Sequence, residues 1–393
     1  MHVVRLRIRT RARHREGIGQ RATAASRRRA ATLLITIALL LSAAAPAPAA
    51  QLLVAANHGV GEATLRSLRA RAPWGERKPP IAIDDDAVLH SRGPRVYVVS
   101  RRRGTVAVVA RRAWEVRRTF SLGDDSRPQD IVVLGPRDAY VTTGASAELL
   151  HLDPRSGAVT SAVDLSLFAD EDGNPDLGAM IVDGDHLFVQ VRRYNEKAVG
   201  GFSSPAYLAV IDLVTGQLMD VDTEVPGVQA IQLKGTSPKH RMQILPASRR
   251  LLVSATGGSF DAGGIESIDL DTLESTGLVL REDDGLTGSD LGPFAMVDEE
   301  RGYLVFTTDF TLSSHLDRFS LAGGVAENVN MHVSVDYAVP AFGFHAVTGS
   351  LFVPDGAFEK HGIDVFDTST DKKLNGPPID VDGATTDVLL LGQ

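Results

Sequence analysis

The 393-residue sequence contains no cysteine. That excludes a disulfide scaffold, a cysteine-ligated zinc or iron–sulfur centre, a thiol nucleophile, an acylated N-terminal cysteine and covalent c-type haem. Long apolar runs are scarce. Ala30–Leu41 is apolar over only 12 residues, and no stretch after residue 50 reaches the roughly 18 that a membrane helix needs. The mature chain is therefore expected to have no integral membrane segment. Helical periodicity is nearly absent after residue 50. There is no G-x-S-x-G elbow, no P-loop, no H-E-x-x-H and no dinucleotide fingerprint.

The charge that is present is uneven. Residues 1–50 hold ten Arg and a single acid, Glu16, while the whole chain has a net charge of −8, which leaves −17 on residues 51–393. Such a body repels phosphate backbones, so a nucleic-acid partner is not expected. In the leader, Arg27-Arg28-Arg29 precede the apolar run and Ala43–Ala50 (AAAPAPAA) follows it. This is the order of a secretory signal peptide, with small residues at Ala47-Pro48-Ala49 for cleavage. Residues 1–50 are therefore read as an export signal with an Arg-rich leader. Residues 51–393 are read as the mature domain, periplasmic or extracellular.

That domain is repetitive. A run ending in a small or polar turn recurs seven times: LLVAAN (52–57), RVYVVS (95–100), AYVTTG (139–144), HLFVQV (186–191), RLLVSATG (250–257), GYLVFTTD (302–309) and SLFVPDG (350–356). Most are followed by a second β-rich run, such as YLAVIDL (207–213), and a third, such as VTSAVDL (159–165). A leading run precedes six of the seven. It is missing before Leu52, and its seventh copy, DVLLLG (387–392), stands at the C-terminal end. Seven four-stranded units of about 45 residues predict an all-β, seven-bladed β-propeller whose N-terminal blade is closed by the C-terminal strand. Closure removes an open sheet edge that would invite aggregation. The leading strands are expected to line the channel, where Gly178, Ala179, Ala295 and Gly343 suit a crowded axis.

The unit at 130–165 carries a family likeness. Tyr140-Val141-Thr142-Thr143 followed by Leu149-Leu150-His151-Leu152-Asp153 resembles the YVTN repeat of bacterial surface-layer and YncE-like propellers. YLAVIDLVTGQ (207–217) and IDVFDTST (363–370) resemble it too. The resemblance spans about 52–392 and departs from the pattern in the stretched unit at 186–248. It implies a propeller and says little about activity. Propellers also host lactonases and quinoprotein dehydrogenases built from scattered channel residues, so the missing motifs weaken an enzymatic reading without removing it.

Candidate sites follow from the blade repeat. Asp86, Asp130, Asp176, Asp290 and Asp387 stand at or near the start of five leading strands. They read either as a carboxylate ring for a cation at the channel mouth or as repeated caps on backbone N–H groups, and the second reading is favoured. In Asp170-Glu171-Asp172-Gly173-Asn174-Pro175-Asp176, oxygen ligands alternate at Asp170, Asp172, Asn174 and Asp176, the pattern by which calcium loops aim carboxylates at one hard cation. The alternative is a solvated acidic loop. Glu282-Asp283-Asp284-Gly285 is a weaker version. His58, His240, His315 and His361 fall near the same face, without the short spacing of a transition-metal site. Arg101-Arg102-Arg103 and Arg192-Arg193 form a basic patch suited to an anion, or solvated loop tips. The leading expectation is an exported module that binds an unidentified protein, polymer or small molecule on its upper face, through Asp86, Asp130, Asp290, Asp387, His240, Arg102 and Arg193, with a calcium ion at 170–176. The alternative is a lactonase-like hydrolase in which a channel-mouth cation activates water.

Overall fold

A computed structural model describes residues 50–195, 201, 203–255, 263–282, 289–308, 313–323, 325–326, 331–335, 339–357 and 361–392. The leader (1–49) and residues 283–285 of the weaker acidic motif lie outside the described residues. The described chain forms seven sheets, one per repeat, in which nearly every strand pairs antiparallel with its sequence neighbour. Among the described residues the only helical element is one 3-10 turn, Ser166–Phe168, and no helix is long and apolar enough to cross a membrane.

Blade 1 is closed as the repeat predicts. The C-terminal strand Ala384–Leu391 pairs with the N-terminal strand Gln51–Gly59, with Leu52 opposite Leu390 and Val54 opposite Val388. Blades 2 to 7 start from the leading strands Ala87–Arg92, Pro128–Gly135, Leu177–Asp183, Gln243–Leu245, Ser289–Met296 and Gly343–His345. The second strand of each blade is the apolar one. Arg95–Ser100 and Ser350–Asp355, for example, are buried at nearly every position. A strand covered on both faces reads as continuous apolar sequence rather than as alternation. The outermost strands are the reverse: Glu115–Ser121 and Ala158–Asp164 are exposed almost throughout.

Seven apolar clusters account for that burial, each between two consecutive blades. The cluster joining blade 7 to blade 1 packs Phe352, Ile363 and Val365 against Leu52, Val54 and Val388. The ring is thus sealed by side chains as well as by the shared sheet. The stretched repeat is explained at its outer edge. In blade 4 two short strands, Gln217–Leu218 and Ile231–Gln232, both pair with Tyr207–Asp212. Blade 6 repeats this arrangement with Val325–Ala326 and His332–Val335 on Ser313–Ser320.

Candidate functional site

Contiguous leading strands surround the axis, and a cavity of about 790 Å³ opens among them. That size falls within the range of small-molecule sites, which run from roughly 300 to 1,000 Å³. Of the seven residues expected at the channel mouth, six line it: Asp86, Asp130, Asp290, Asp387, His240 and Arg102. Arg193 does not. Its Nη1 donates to the Pro205 carbonyl at 2.8 Å and its guanidinium lies over the Tyr207 ring. Its neighbour Arg192 faces the cavity instead. The strand ends at Val191 and Arg193 has left-handed backbone, φ 55°, so the chain turns between the two arginines and only the first lines the cavity.

Most of the aspartates prove to be engaged with backbone. Asp130 Oδ1 accepts the Ile131 N–H, and Oδ2 accepts the Met180 N–H of blade 4 at 2.7 Å. His90 Nε2 of blade 2 stands 2.5 Å from Oδ1. Burial pushes this carboxyl up, but His90 and the Met180 N–H outweigh it and hold it below the usual carboxylate range. Asp387 copies the geometry one blade pair earlier. Its Oδ1 accepts Val388 N–H and its Oδ2 accepts Leu89 N–H of blade 2 at 2.7 Å. Gln243 does the same from blade 5 to blade 6, its Oε1 accepting the Met296 N–H at 2.8 Å. One device therefore staples three pairs of blades around the axis. Asp86 caps its own loop by accepting the Arg102 N–H at 2.5 Å. Asp85, which the sequence reading passed over, accepts Gly61 N–H and pairs with Arg102 Nη2 at 2.9 Å.

Cations reach the same space. Arg241, ahead of the blade 5 leading strand, crosses the axis to the far side of the ring. It donates to the Val388 and Leu89 carbonyls at 2.9 and 2.7 Å and pairs with Asp387 at 2.7 Å. Arg101 lines the cavity and has no hydrogen-bond or ion-pair partner among the described residues. Arg192 donates from Nε to the Asp176 carbonyl at 3.2 Å. Gly178 makes room for it, since a Cβ there would meet Gln190 Oε1 at 2.9 Å and Arg192 Cδ at 3.1 Å. The fully buried Gln190 links the two blades, donating to the His240 carbonyl at 2.9 Å and accepting from Ala179 N–H at 3.1 Å. Burial, and next the neighbouring Lys239, push the His240 imidazole down to about 4, so it is neutral at physiological pH. Lys239 and Arg192 are each lowered, chiefly by burial. Repulsion contributes as well, from Arg192 on Lys239 and from Arg101 on Arg192. Lys239 and Arg241 were missed in the sequence. Their signal was Lys239-His240-Arg241 ahead of a leading strand, where blades 2 and 3 carry aspartate.

The 170–176 loop folds on itself. Asp170 Oδ1 accepts Asp172 N–H, Asp172 Oδ1 accepts Asn174 N–H and Asn174 Oδ1 accepts Asp176 N–H. This chain of Asx turns uses the alternation that suggested calcium. Asp170 Oδ2 accepts the Ser203 hydroxyl, and Asn174 Nδ2 donates to the Gly144 carbonyl at 3.0 Å. Asp176 is buried and its Oδ2 has no hydrogen-bond partner among the described residues. Burial first, then the charges of Asp172 and Asp170, push its carboxyl up to about 6 against the pull of Arg192. Among the described residues no group of three or more His, Asp and Glu is arranged to hold a metal ion. Of the four histidines expected near this face, only His240 lines the cavity. His58 hydrogen-bonds Thr64, and His315 stacks on Phe306.

No family model and no curated protein matches this chain. Solved structures do. A putative 6-phosphogluconolactonase from Bacteroides fragilis aligns over 88% of this chain and 99% of its own at 11% identity, with a TM-score of 0.57. A chain of the hydrazine synthase of Kuenenia stuttgartiensis aligns over 77% and 93% at 13% identity, with a TM-score of 0.56. A functionally unknown protein from Desulfotomaculum acetoxidans aligns over 86% and 98% at 14% identity, also with a TM-score of 0.56. The likeness is one of fold. At such identities neighbours with different activities share the ring, and the channel residues have to be read on their own.

Proposed function

We propose that this chain is an exported, YVTN-like propeller that works as a binding module, with a small-molecule ligand held in the axial cavity. The observation that supports this is the division of labour in the wall. Asp130 and Asp387 are taken up by backbone staples, while Arg101 faces the same cavity with no partner among the described residues. A hydrolase of the lactonase type needs three or four ligands converging on a cation that activates water. Of the carboxylates that line the cavity, Asp130 and Asp387 already accept two or more hydrogen bonds each. A calcium ion at Asp170, Asp172, Asn174 and Asp176 is a separate, structural reading, favoured by the buried and unpartnered Asp176 Oδ2.

The test is native mass spectrometry of the protein recovered from its export compartment. A co-purifying small molecule, released on denaturation and lost when Ala179→Trp fills the cavity, is the expected result. Lactone hydrolysis abolished by Asp290→Asn, in a variant that remains folded, would replace the binding reading with the hydrolase.

A further inference from the structure

The cavity wall is sorted by polarity around the ring. Blades 2, 4 and 5 supply its cations: Arg101 and Arg102, Arg192, and Lys239 with Arg241. The segment leading into blade 7 supplies Val339, Pro340, Ala341 and Phe342, and blade 6 adds Pro293 and Phe294. Among the described residues, blade 7 and its lead-in give the cavity no charged side chain, and blade 6 gives one, Asp290.

Within the polar arc the two signs are not equally available. Arg102 is paired with Asp85 and Arg241 with Asp387. Asp130 faces His90 and two N–H groups, and Asp86 holds the Arg102 N–H. Asp290 attracts Lys239. What remains is Arg101 and the terminal nitrogens of Arg192, which have no hydrogen-bond or ion-pair partner among the described residues, Asp176 attracting Arg192 only through its charge. These two guanidiniums repel one another in a partly desolvated space. Like charges held together away from water are stabilised when a ligand of the opposite sign arrives, and a guanidinium fork suits a carboxylate, sulfonate or phosphate.

We infer that the cavity takes an amphiphilic organic anion, its acidic group on Arg101 and Arg192 and its apolar body against Phe342, Val339, Pro340 and Phe294. The inference rests on the reading of the cavity as the binding site and adds the chemistry of the ligand. A purely inorganic anion would leave the apolar arc wet, and an uncharged apolar molecule would leave the two guanidiniums without a counter-charge.

Calorimetric titration of the exported protein with four probes tests this: 2-naphthoate, 2-naphthylmethanol, (2-naphthylmethyl)trimethylammonium and inorganic phosphate. Naphthoate is expected to bind at least about tenfold more tightly than any of the other three, the equivalent of about 1.4 kcal/mol. Arg101 is exposed, so Arg101→Gln should leave the fold intact. It should weaken naphthoate about tenfold, the loss of one charged hydrogen bond, and leave naphthylmethanol unchanged. Phe342→Ala should weaken naphthoate and not phosphate. Equal binding of naphthoate and the alcohol, or tighter binding of the ammonium probe, overturns the anion assignment and leaves the cavity as the site. Phosphate binding as tightly as naphthoate overturns the apolar half. If none of the four binds, both the inference and the reading beneath it fail.

Discussion

Asp130 and Arg101 face one cavity from neighbouring blades, yet they are opposite cases. Asp130 is buried, and each of its oxygens accepts a backbone N–H. Arg101 is exposed and has no partner among the described residues. Both are charged residues near a propeller axis, and composition alone would rank the carboxylates as the site. The difference teaches that a charge is available to a ligand only when the fold has not already satisfied it. A repeated carboxylate is well suited to become a staple, because blades 2, 4 and 6 offer the N–H groups of Leu89, Met180 and Met296 at corresponding places.

The largest effect should come from breaking a staple. Asp130→Ala leaves the Met180 N–H buried without an acceptor and His90 without its partner. It should cost about 3 kcal/mol or more, read by urea unfolding. Arg101→Gln in the same assay should change stability by less than about 0.5 kcal/mol, as for surface substitutions. Similar losses for the two variants would end the contrast.

A second comparison sets the axial staples against an outer latch. His332 of blade 6 lies 3.3 Å from both Asp355 and Asp364 of blade 7, and Lys373 pairs with Asp364 at 2.7 Å. Burial opposes the charge on this imidazole, but the two aspartates overcome it and push it up to about 9. A group raised in the folded state stabilises fully below its unfolded value, near 6.5, and loses that contribution as pH rises through about 9. The wild type should therefore lose on the order of 3 kcal/mol between pH 6.5 and 9.5 relative to His332→Gln. Parallel pH profiles for the two proteins would show that the latch carries no charge-dependent stability.

Arg241 is intermediate between the staples and Arg101: it is paired, but its side chain is 42% exposed. Solvent screens such a pair, so Arg241→Gln should cost about 1 kcal/mol, less than Asp130→Ala. Asp176 should give an effect of the opposite sign. Its carboxyl is raised to about 6, so ionisation penalises the fold from about pH 4 upward, fully above pH 6. Asp176→Asn should then stabilise by up to about 3 kcal/mol at pH 7 and have little effect at pH 4. The same unfolding curves in EDTA and in excess calcium sharpen this. A calcium ion bound at a hundred times its dissociation constant adds about 2.7 kcal/mol, and the variant would lose it. That result would make the loop a metal site rather than a run of Asx turns.

The blade count, the closing strand and the apolar second strands were legible in the sequence. Each depends on local pattern repeated seven times, and LLVAAN or RVYVVS reads as a doubly covered strand wherever it occurs. Six of the seven expected channel residues could be placed because position within the blade fixes distance from the axis. The seventh, Arg193, failed because the chain leaves the strand after Val191 and turns through left-handed backbone at Arg193, so that Arg192 lines the cavity in its place. Only the tertiary structure decided which charges are engaged. Asp387 meets Arg241 across 146 positions and Asp130 meets Met180 across 50, and no local pattern encodes such pairs. The sequence by itself determined the ring, because strands are specified by short apolar runs and the turns between them, a short-range pattern repeated in every blade. The polarity of the cavity was decided by side chains from all seven blades arriving at one space, and whether each remains available depends on partners that only the closed ring brings near.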